Sequence, residues 1–189
     1  MSGHRSCLAG ADDDRGVRAL RFLLIALALA AAAACTPRAG TCDVNVEREV
    51  AFTDAASHVR AETIGPNCHQ AVALYTIRSG EGDVLWSWTA PLQRAFGDVF
   101  AADPDEHLQT FLDRWATPDI ATTQSAPEWA NLFPGQTTLD QLTYDDIRAR
   151  DLPMLCHYSG TSRQTCVFWE PIAGGAGQLY DREAVETEP

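Results

Sequence analysis

The first half of the chain carries the short-period pattern of β-strands. Apolar residues alternate with polar ones over residues 44–52 and, less regularly, over 58–64, and residues 70–78 are a dense β-branched and aromatic run. A Ser-Gly-Glu-Gly turn at 79–82 separates that run from another at 83–89. Two such runs joined by a glycine-containing turn are typical of a β-hairpin, so this part of the chain is predicted to form one.

The middle of the chain changes to a helical period. Asp103 is a suitable N-cap, Pro104 fits the first helical position, and Glu106 completes a capping box. Four apolar residues then follow at the spacing of one helical face, and Pro118 closes the segment: Leu108, Phe111, Leu112 and Trp115. A helix is therefore predicted from Pro104 towards Pro118.

A second, shorter helix is predicted after Thr143, because Thr138 and Gln141 form another capping signal. Its inward residues are predicted to be Ile147 and Leu152. The intervening residues 116–137 are rich in Thr, Pro, Ser and Gly and are predicted to form a loop. Three apolar residues are expected to hold that loop against the core: Trp129, Leu132 and Phe133.

The C-terminal part returns to strand patterns. Met154–Tyr158 and Cys166–Pro171 flank a polar turn and predict a second hairpin, followed by a glycine-rich connection at 172–177 and a short strand at 178–180. Residues 181–189 are acidic and are predicted to be a frayed, disordered tail. Strands, then helices, then strands predict an α+β fold: an antiparallel sheet built from hairpins with one or two helices inserted mid-chain, in a single globular domain at 42–180.

Residues 1–34 are predicted to be a signal peptide. Arg18 and Arg21 precede the uncharged apolar residues 22–34, which are too short to span a bilayer, and three alanines then meet Cys35. This arrangement resembles the lipobox of bacterial lipoproteins, over residues 17–36 only. The resemblance implies that Cys35 is lipidated, carries a palmitate-type acyl anchor and becomes the N-terminus of a tether over 35–41.

Three features qualify the leader. Lipoboxes favour leucine at the position of Ala32, so cleavage at an A-x-A site, which would give a soluble periplasmic protein, stays open. By the same resemblance, Thr36 implies sorting to the outer membrane. Residues 1–16 contain three consecutive aspartates and Cys7, which suit a signal peptide poorly, so a translation start at Val17 is a further hypothesis.

Five cysteines follow the leader, and an odd number in an exported protein needs an explanation. Lipidation of Cys35 leaves four to pair as two disulfides in an oxidising compartment. Three connectivities are possible, of which Cys42–Cys68 and Cys156–Cys166 are favoured. A metal site using the Cys-His pairs at 68–69 and 156–157 is disfavoured, because neighbours on a strand point to opposite faces. No metal or cofactor is predicted.

Composition excludes several functions. The part of the chain from Cys35 onwards has ten arginines against twenty-three acidic residues, a net charge near −13, which disfavours nucleic-acid binding. All fourteen basic residues are arginine. The absence of lysine excludes a P-loop, a Schiff base and a Ser–Lys dyad, each of which needs the lysine amine.

Aromatic residues are the remaining candidates for a functional surface. Trp86 and Trp88 fall on one face of a strand, which is either core or, if wet, a platform for sugars or a partner protein. Trp129, Trp169 and Tyr180 could extend such a surface. The predicted function is a non-enzymatic envelope lipoprotein, membrane-anchored at Cys35 and facing the periplasm, that binds an envelope protein or peptidoglycan.

The alternative prediction is a small periplasmic hydrolase. His157 precedes Tyr158 and Ser159, but no G-x-S-x-G elbow is present, and a hydrogen-bonded structural role is the default for such a histidine. The hydrolase would use His157 or His69 with acidic partners, for which the candidates are Asp145 and Asp146. No catalytic residue is assigned from the sequence.

Overall fold

The strand patterns become eight β-strands in the part of the chain that the computed structural model describes, which is residues 41–53, 55–97 and 104–184. The strands are β1 (Val44–Val50), β2 (Ser57–Ile64), β3 (Val72–Ser79), β4 (Val84–Pro91), β5 (Asp119–Thr122), β6 (Pro153–Tyr158), β7 (Arg163–Glu170) and β8 (Gly175–Glu183). The same residues contain three α-helices: α1 (Leu92–Phe96), α2 (Pro104–Trp115) and α3 (Gln141–Ala149). The predicted leader, Cys35 and the cap Asp103 lie outside the described residues.

The strands form two antiparallel sheets of four, and in each sheet the strands follow one another in sequence order. Sheet A has the order β1-β2-β3-β4, and sheet B has the order β5-β6-β7-β8. In the sequence, helices α1 and α2 come after the last strand of sheet A and before the first strand of sheet B. The predicted fold class, α+β with antiparallel hairpins and two disulfides, is confirmed, with the strands divided between two sheets.

Sheet A packs against the core with one face and exposes its other face to solvent. Along β2, buried residues alternate with partly or fully exposed ones. Val46, Ala61, Tyr75 and Trp88 are directly paired across the four strands and form one row of the inner face. Charged residues occupy the outer face, where Arg60 is paired with Glu47 on the neighbouring strand. The alternation of buried and exposed residues along β2 therefore reflects a sheet with one face open to solvent.

Sheet B is covered on both faces. Leu155 and Val167 are paired across β6 and β7 and pack into the cluster that contains the inner face of sheet A. Met154 and Phe168, on the opposite face, pack with α3 in a second cluster. The described domain therefore stacks sheet A, sheet B and a layer made of α3 and the loop that precedes it.

Helix α2 confirms its predicted apolar face. Leu108, Leu112 and Trp115 are buried, Phe111 is partly buried against the same cluster, and the helix contacts β1 and β2. Helix α3 begins at Gln141, earlier than predicted, and its N-cap is Asp140, whose carboxylate accepts the Thr143 backbone N–H at 3.0 Å. Asp140, and not Thr138, caps the helix because it directly precedes the first helical residue. Ile147 and Leu152 are both buried as predicted, but the helix ends at Ala149 and Leu152 follows it in the chain.

The predicted loop at 116–137 contains an edge strand and two single-turn 3-10 helices. Strand β5 pairs with β6, and the turns are Thr123–Ser125 and Trp129–Asn131. Trp129 and Leu132 pack against the second cluster as predicted, but Phe133 is 75% exposed and does not hold the loop.

The last strand is longer than predicted, because β8 continues to Glu183 and includes residues assigned to the frayed tail. The glycine-rich segment before it also joins the strand. Gly177 is paired with Phe168, and a Cβ at Gly177 would lie 3.0 Å from that ring, so the absent side chain makes room for the aromatic one. At the other end of β8, Asp181 pairs with Arg163 at 2.9 Å. Composition alone does not reveal either partner.

Candidate functional site

An aromatic cluster around His157 fills the space between the two sheets. The indole N–H of Trp86 donates to Nε2 of His157 at 3.2 Å, and Nδ1 of His157 lies 3.0 Å from the backbone oxygen of Tyr158. An indole nitrogen can only donate and a carbonyl oxygen can only accept. The two partners therefore assign the proton to Nδ1 and leave Nε2 as the acceptor.

His157 is held in its neutral form. Its side chain is buried and stacks on the Tyr75 ring, with 4.2 Å between ring centroids. Burial lowers the pKa of His157 to about 4, and the hydrogen bond to Tyr158 offsets this only in part. At neutral pH the imidazole is uncharged and both nitrogens are already hydrogen-bonded.

The geometry does not assemble a Ser–His pair. The hydroxyl of Ser159 is buried and makes no hydrogen bond within the described residues, so it does not hydrogen-bond His157. His69 lies in the β2–β3 turn of sheet A, whereas Asp145 and Asp146 lie on α3, across sheet B. The contacts of His157 fit the hydrogen-bonded structural role that is the default prediction for this histidine.

The rest of the cluster is a close-packed set of rings. Trp88 meets Trp115 edge-on at 5.8 Å and Phe96 at 6.1 Å. The hydroxyl of Tyr75 is buried and has no hydrogen-bond partner among the described residues, and burial raises its pKa well above the usual value. This cluster is a packing centre between sheets, and such rings contribute stability through buried area and edge contacts.

The five aromatic residues of the predicted binding surface do not share one exposed face. Trp86 and Trp88 pack into the inter-sheet cluster, and Trp169 packs against the same cluster from β7. Trp129 lies on the other side of sheet B, 5.6 Å from the ring of Tyr144. Tyr180 is only 3% exposed and burial raises its pKa. Of the two alternatives for Trp86 and Trp88, their contacts fit a core role.

Both favoured disulfides are present. Cys42 and Cys68 are joined with a Cα–Cα distance of 5.0 Å. Cys156 and Cys166 are directly opposite each other on β6 and β7 and are joined with a Cα–Cα distance of 4.0 Å. In the described ranges no group of three His, Cys, Asp or Glu residues lies close enough to hold a metal ion. The same ranges contain no helix long and apolar enough to cross a bilayer.

The N-terminal end of the domain is fixed where the chain enters it. The Cys42 backbone N–H donates to the Gly65 oxygen at 3.0 Å, and the Asp43 carboxylate accepts the Gly65 N–H at 2.8 Å. Gly65 also lies against Ala71, because a Cβ at Gly65 would be 2.6 Å from the Ala71 Cα. The disulfide to Cys68 completes this junction, which ties the entry point to the β2–β3 turn.

These features define a class: a disulfide-cross-linked α+β domain made of two stacked antiparallel sheets around a buried neutral histidine. Comparison of the chain with protein-family models, curated proteins and solved structures finds no match. Its function is therefore inferred from its own residues.

Proposed function

We propose that the protein is a cell-envelope lipoprotein, anchored by a lipid on Cys35 to the outer membrane, whose periplasmic domain is a non-enzymatic binding or interaction module. The observation that carries this proposal is the pairing of the cysteines. Cys42 pairs with Cys68 and Cys156 pairs with Cys166, so both disulfides form without Cys35. Of the two cysteines outside these disulfides, Cys7 and Cys35, only Cys35 directly follows the apolar run at 22–34.

The disulfides also support export. Both are built into the fold, since Cys42, Cys156 and Cys166 are buried in the two hydrophobic clusters. Disulfides of this kind form and persist in oxidising compartments such as the periplasm and are rare in the cytosol. An export leader and two structural disulfides are independent features of the chain that favour the same compartment.

The chemistry of the interior supports a non-enzymatic module. A histidine that acts as a general base needs a free ring nitrogen and a pKa near the working pH. His157 has both nitrogens hydrogen-bonded and a pKa of about 4. Of the two candidate hydrolase histidines, the buried one thus lacks the properties of a base, and the exposed His69 lies beside the Cys42–Cys68 disulfide.

Metabolic labelling with an alkyne fatty acid tests the anchor. The wild-type protein should incorporate the label and fractionate with the outer membrane, whereas Cys35→Ala should lose the label and leave the membrane fraction. Cys7→Ala is the matched control, because it removes the other cysteine that lies outside the two disulfides and should retain the label. Label that persists in Cys35→Ala would overturn the proposal.

Binding is tested separately from anchoring. The lipidated protein, cross-linked in intact envelopes, should be recovered with a reproducible envelope protein, or it should co-sediment with purified peptidoglycan. Steady hydrolysis of ester, amide or glycosidic probes by the purified protein that His69→Ala abolishes would instead support the hydrolase.

A further inference from the structure

Three apolar residues are exposed at the end of sheet A where the chain enters the domain. On the outer face, Ile64 is paired with Val72, and Val72 with Pro91, so the three form one row across three strands. Ile64 is 51% exposed and Val72 is 40% exposed. We call this row the tether-end patch.

Charge on the outer face increases away from the tether-end patch. The next row contains Glu62 and Leu74, the one after it Glu47 and Arg60, and the last row Glu49 with His58 and Arg78. Rows on one face are about 7 Å apart, since two residues of a strand advance by that distance. Most acidic side chains of this face are therefore held well away from the patch.

Glu62, in the row next to the patch, is paired with Arg60 at 2.9 Å, and the other charges close to the patch do not oppose an apolar or zwitterionic surface. Asp43 precedes β1 at this end, but its carboxylate accepts the Gly65 N–H at 2.8 Å. Helix α1 starts at the same end, because the Leu92 N–H donates to the Ala71 oxygen at 2.9 Å, and its Arg94 is exposed. Arginine near an apolar patch suits a phosphate-bearing headgroup, which it can contact while its aliphatic stem stays on apolar surface.

The anchor keeps this end of the domain near the membrane. Seven residue steps separate Cys35 from Cys42, and a fully extended chain spans at most about 3.6 Å per step, or roughly 25 Å. Cys42 is bonded to Cys68 and hydrogen-bonded to Gly65, the residue after Ile64. The patch therefore lies next to the point from which the tether departs.

From the patch, the charge gradient and the length of the tether, we infer that the tether-end patch rests on the headgroup layer of the membrane that anchors the protein. This inference rests on the proposed lipid anchor. The surface it fits is zwitterionic, such as phosphatidylethanolamine, because the net charge near −13 of the exported part repels anionic lipid. The anchor raises the effective concentration of the membrane, so a small apolar contact is sufficient.

A second copy of the chain fits the patch less well. Two copies would each bring the same negative charge, and three partly exposed side chains are far below the roughly 800 Å² per partner of a stable interface. Contact with a lipid surface does not need so large a buried area, because the covalent anchor already holds the domain at the membrane.

Photo-cross-linking to lipid tests the inference. The full lipidated protein is placed in vesicles of phosphatidylethanolamine and phosphatidylcholine with a trace of phosphatidylethanolamine that carries a headgroup diazirine. Cleavage after arginine and reduction release residues 61–78, which contain Ile64 and Val72. Lipid adducts in wild type should concentrate there and exceed those at Val84, which is 53% exposed at the opposite end of the outer face.

Val72→Asp and Val84→Asp are a matched pair, because each places one carboxylate on the outer face at an exposed valine. Val72→Asp should lower the adducts in residues 61–78 by about fivefold, since it removes apolar contact and adds a charge at the interface. Val84→Asp should leave them unchanged. The wild-type adduct map is decisive even if Val72→Asp destabilises the fold.

Each outcome decides one of the two proposals. Equal adducts at the two ends of sheet A, or an unchanged map in Val72→Asp, would overturn the inference while the fatty-acid label on Cys35 still supports the anchor. Cross-links between two copies through the patch would assign it to a dimer and also overturn the inference. Loss of the anchor itself, seen as a missing label on Cys35, removes both.

Discussion

Sheets A and B have the same number of strands and the same hairpin order, but they differ in what covers them. Sheet A buries one face and leaves the other to solvent, so its strand β2 alternates between buried and exposed residues. Sheet B is covered on both faces, and β6 and β7 each contain an unbroken run of buried residues. One topology is thus encoded by two sequence patterns, which the surroundings of each sheet decide.

The difference separates two roles within the domain. Sheet B is the central layer, and it contributes the buried histidine and one disulfide to the interior. Sheet A supplies the only open sheet face among the described layers, and that face carries both the charged rows and the apolar tether-end patch. Substitutions at equivalent strand positions should therefore have different consequences in the two sheets.

The largest effect is expected in the middle of sheet B. Leu155 is fully buried between the sheets, and Leu155→Ala should lower the free energy of unfolding by about 4 kcal/mol, because it leaves a cavity that close packing cannot fill. Leu74→Ala makes the same change on the outer face of sheet A and should cost about 1 kcal/mol. Urea unfolding measures both, and equal losses would contradict the one-sided burial of sheet A.

The next largest effect is the pH dependence of stability that arises from His157, which lies between the two sheets. The unfolded chain protonates His157 near pH 6.5, whereas the folded protein does so only near pH 4. The unfolded state therefore binds more protons in this window, and the stability contributed by neutral His157 should fall by about 3 kcal/mol as pH falls from 7 to 4.

His157→Gln should flatten this part of the pH profile of unfolding free energy, even if the variant is less stable at pH 7. His58→Gln is the matched control, because His58 lies on the outer face of sheet A, and it should preserve the wild-type slope. A His157→Gln profile with the wild-type slope would show that the histidine is not held neutral.

A smaller loss is expected from the hydrogen bond that joins the sheets. Trp86→Phe removes the donor to Nε2 of His157 and should lower the free energy of unfolding by about 2 kcal/mol, because a buried acceptor is left unsatisfied. Trp129→Phe changes the same side chain in the second cluster and controls for lost ring area. Comparable losses in thermal unfolding would show that the hydrogen bond contributes little.

The smallest effect compares two buried tyrosines. Tyr75→Phe should change the free energy of unfolding by less than about 0.5 kcal/mol or raise it slightly, because its hydroxyl has no partner in the described part of the domain. Tyr144 donates to the Pro127 oxygen at 2.9 Å, so Tyr144→Phe should cost about 1 kcal/mol. A larger loss for Tyr75→Phe would contradict an unpaired hydroxyl.

Local sequence patterns predict those helices and strands that are determined by neighbouring residues in the chain. The hairpin of β3 and β4 follows from two runs around a glycine turn, and α2 follows from its proline start and its apolar stripe. The sequence does not predict strand β5, because a four-residue edge strand acquires its identity from pairing with β6, far along the chain. The sequence predicts only residues 178–180 of β8, because the local pattern does not show that Gly177 is paired with Phe168 and makes room for its ring.

The candidate site divides in the same way. The cysteine pairs were favoured correctly, since parity and a hairpin geometry narrow the choices. The sequence alone does not show whether Trp86 is buried or exposed. The residue that accepts its indole N–H is His157, which lies 71 positions away on the other sheet. Which face of a strand is exposed to solvent depends on how the sheets stack, and the sequence of a single strand does not contain that information.

The junction at Cys42 has a mechanical consequence. Strand β1 is an edge strand, so if Cys35 anchors the protein as proposed, a force that pulls the domain away from the membrane would otherwise separate β1 from β2 one pair of hydrogen bonds at a time. The Cys42–Cys68 bond lies before the first of those pairs and leads the load into the β2–β3 turn. Under the proposed anchor, such a force would reach the interior of sheet A through a covalent bond, and reduction of this bond would leave the hydrogen bonds between β1 and β2 to break one after another.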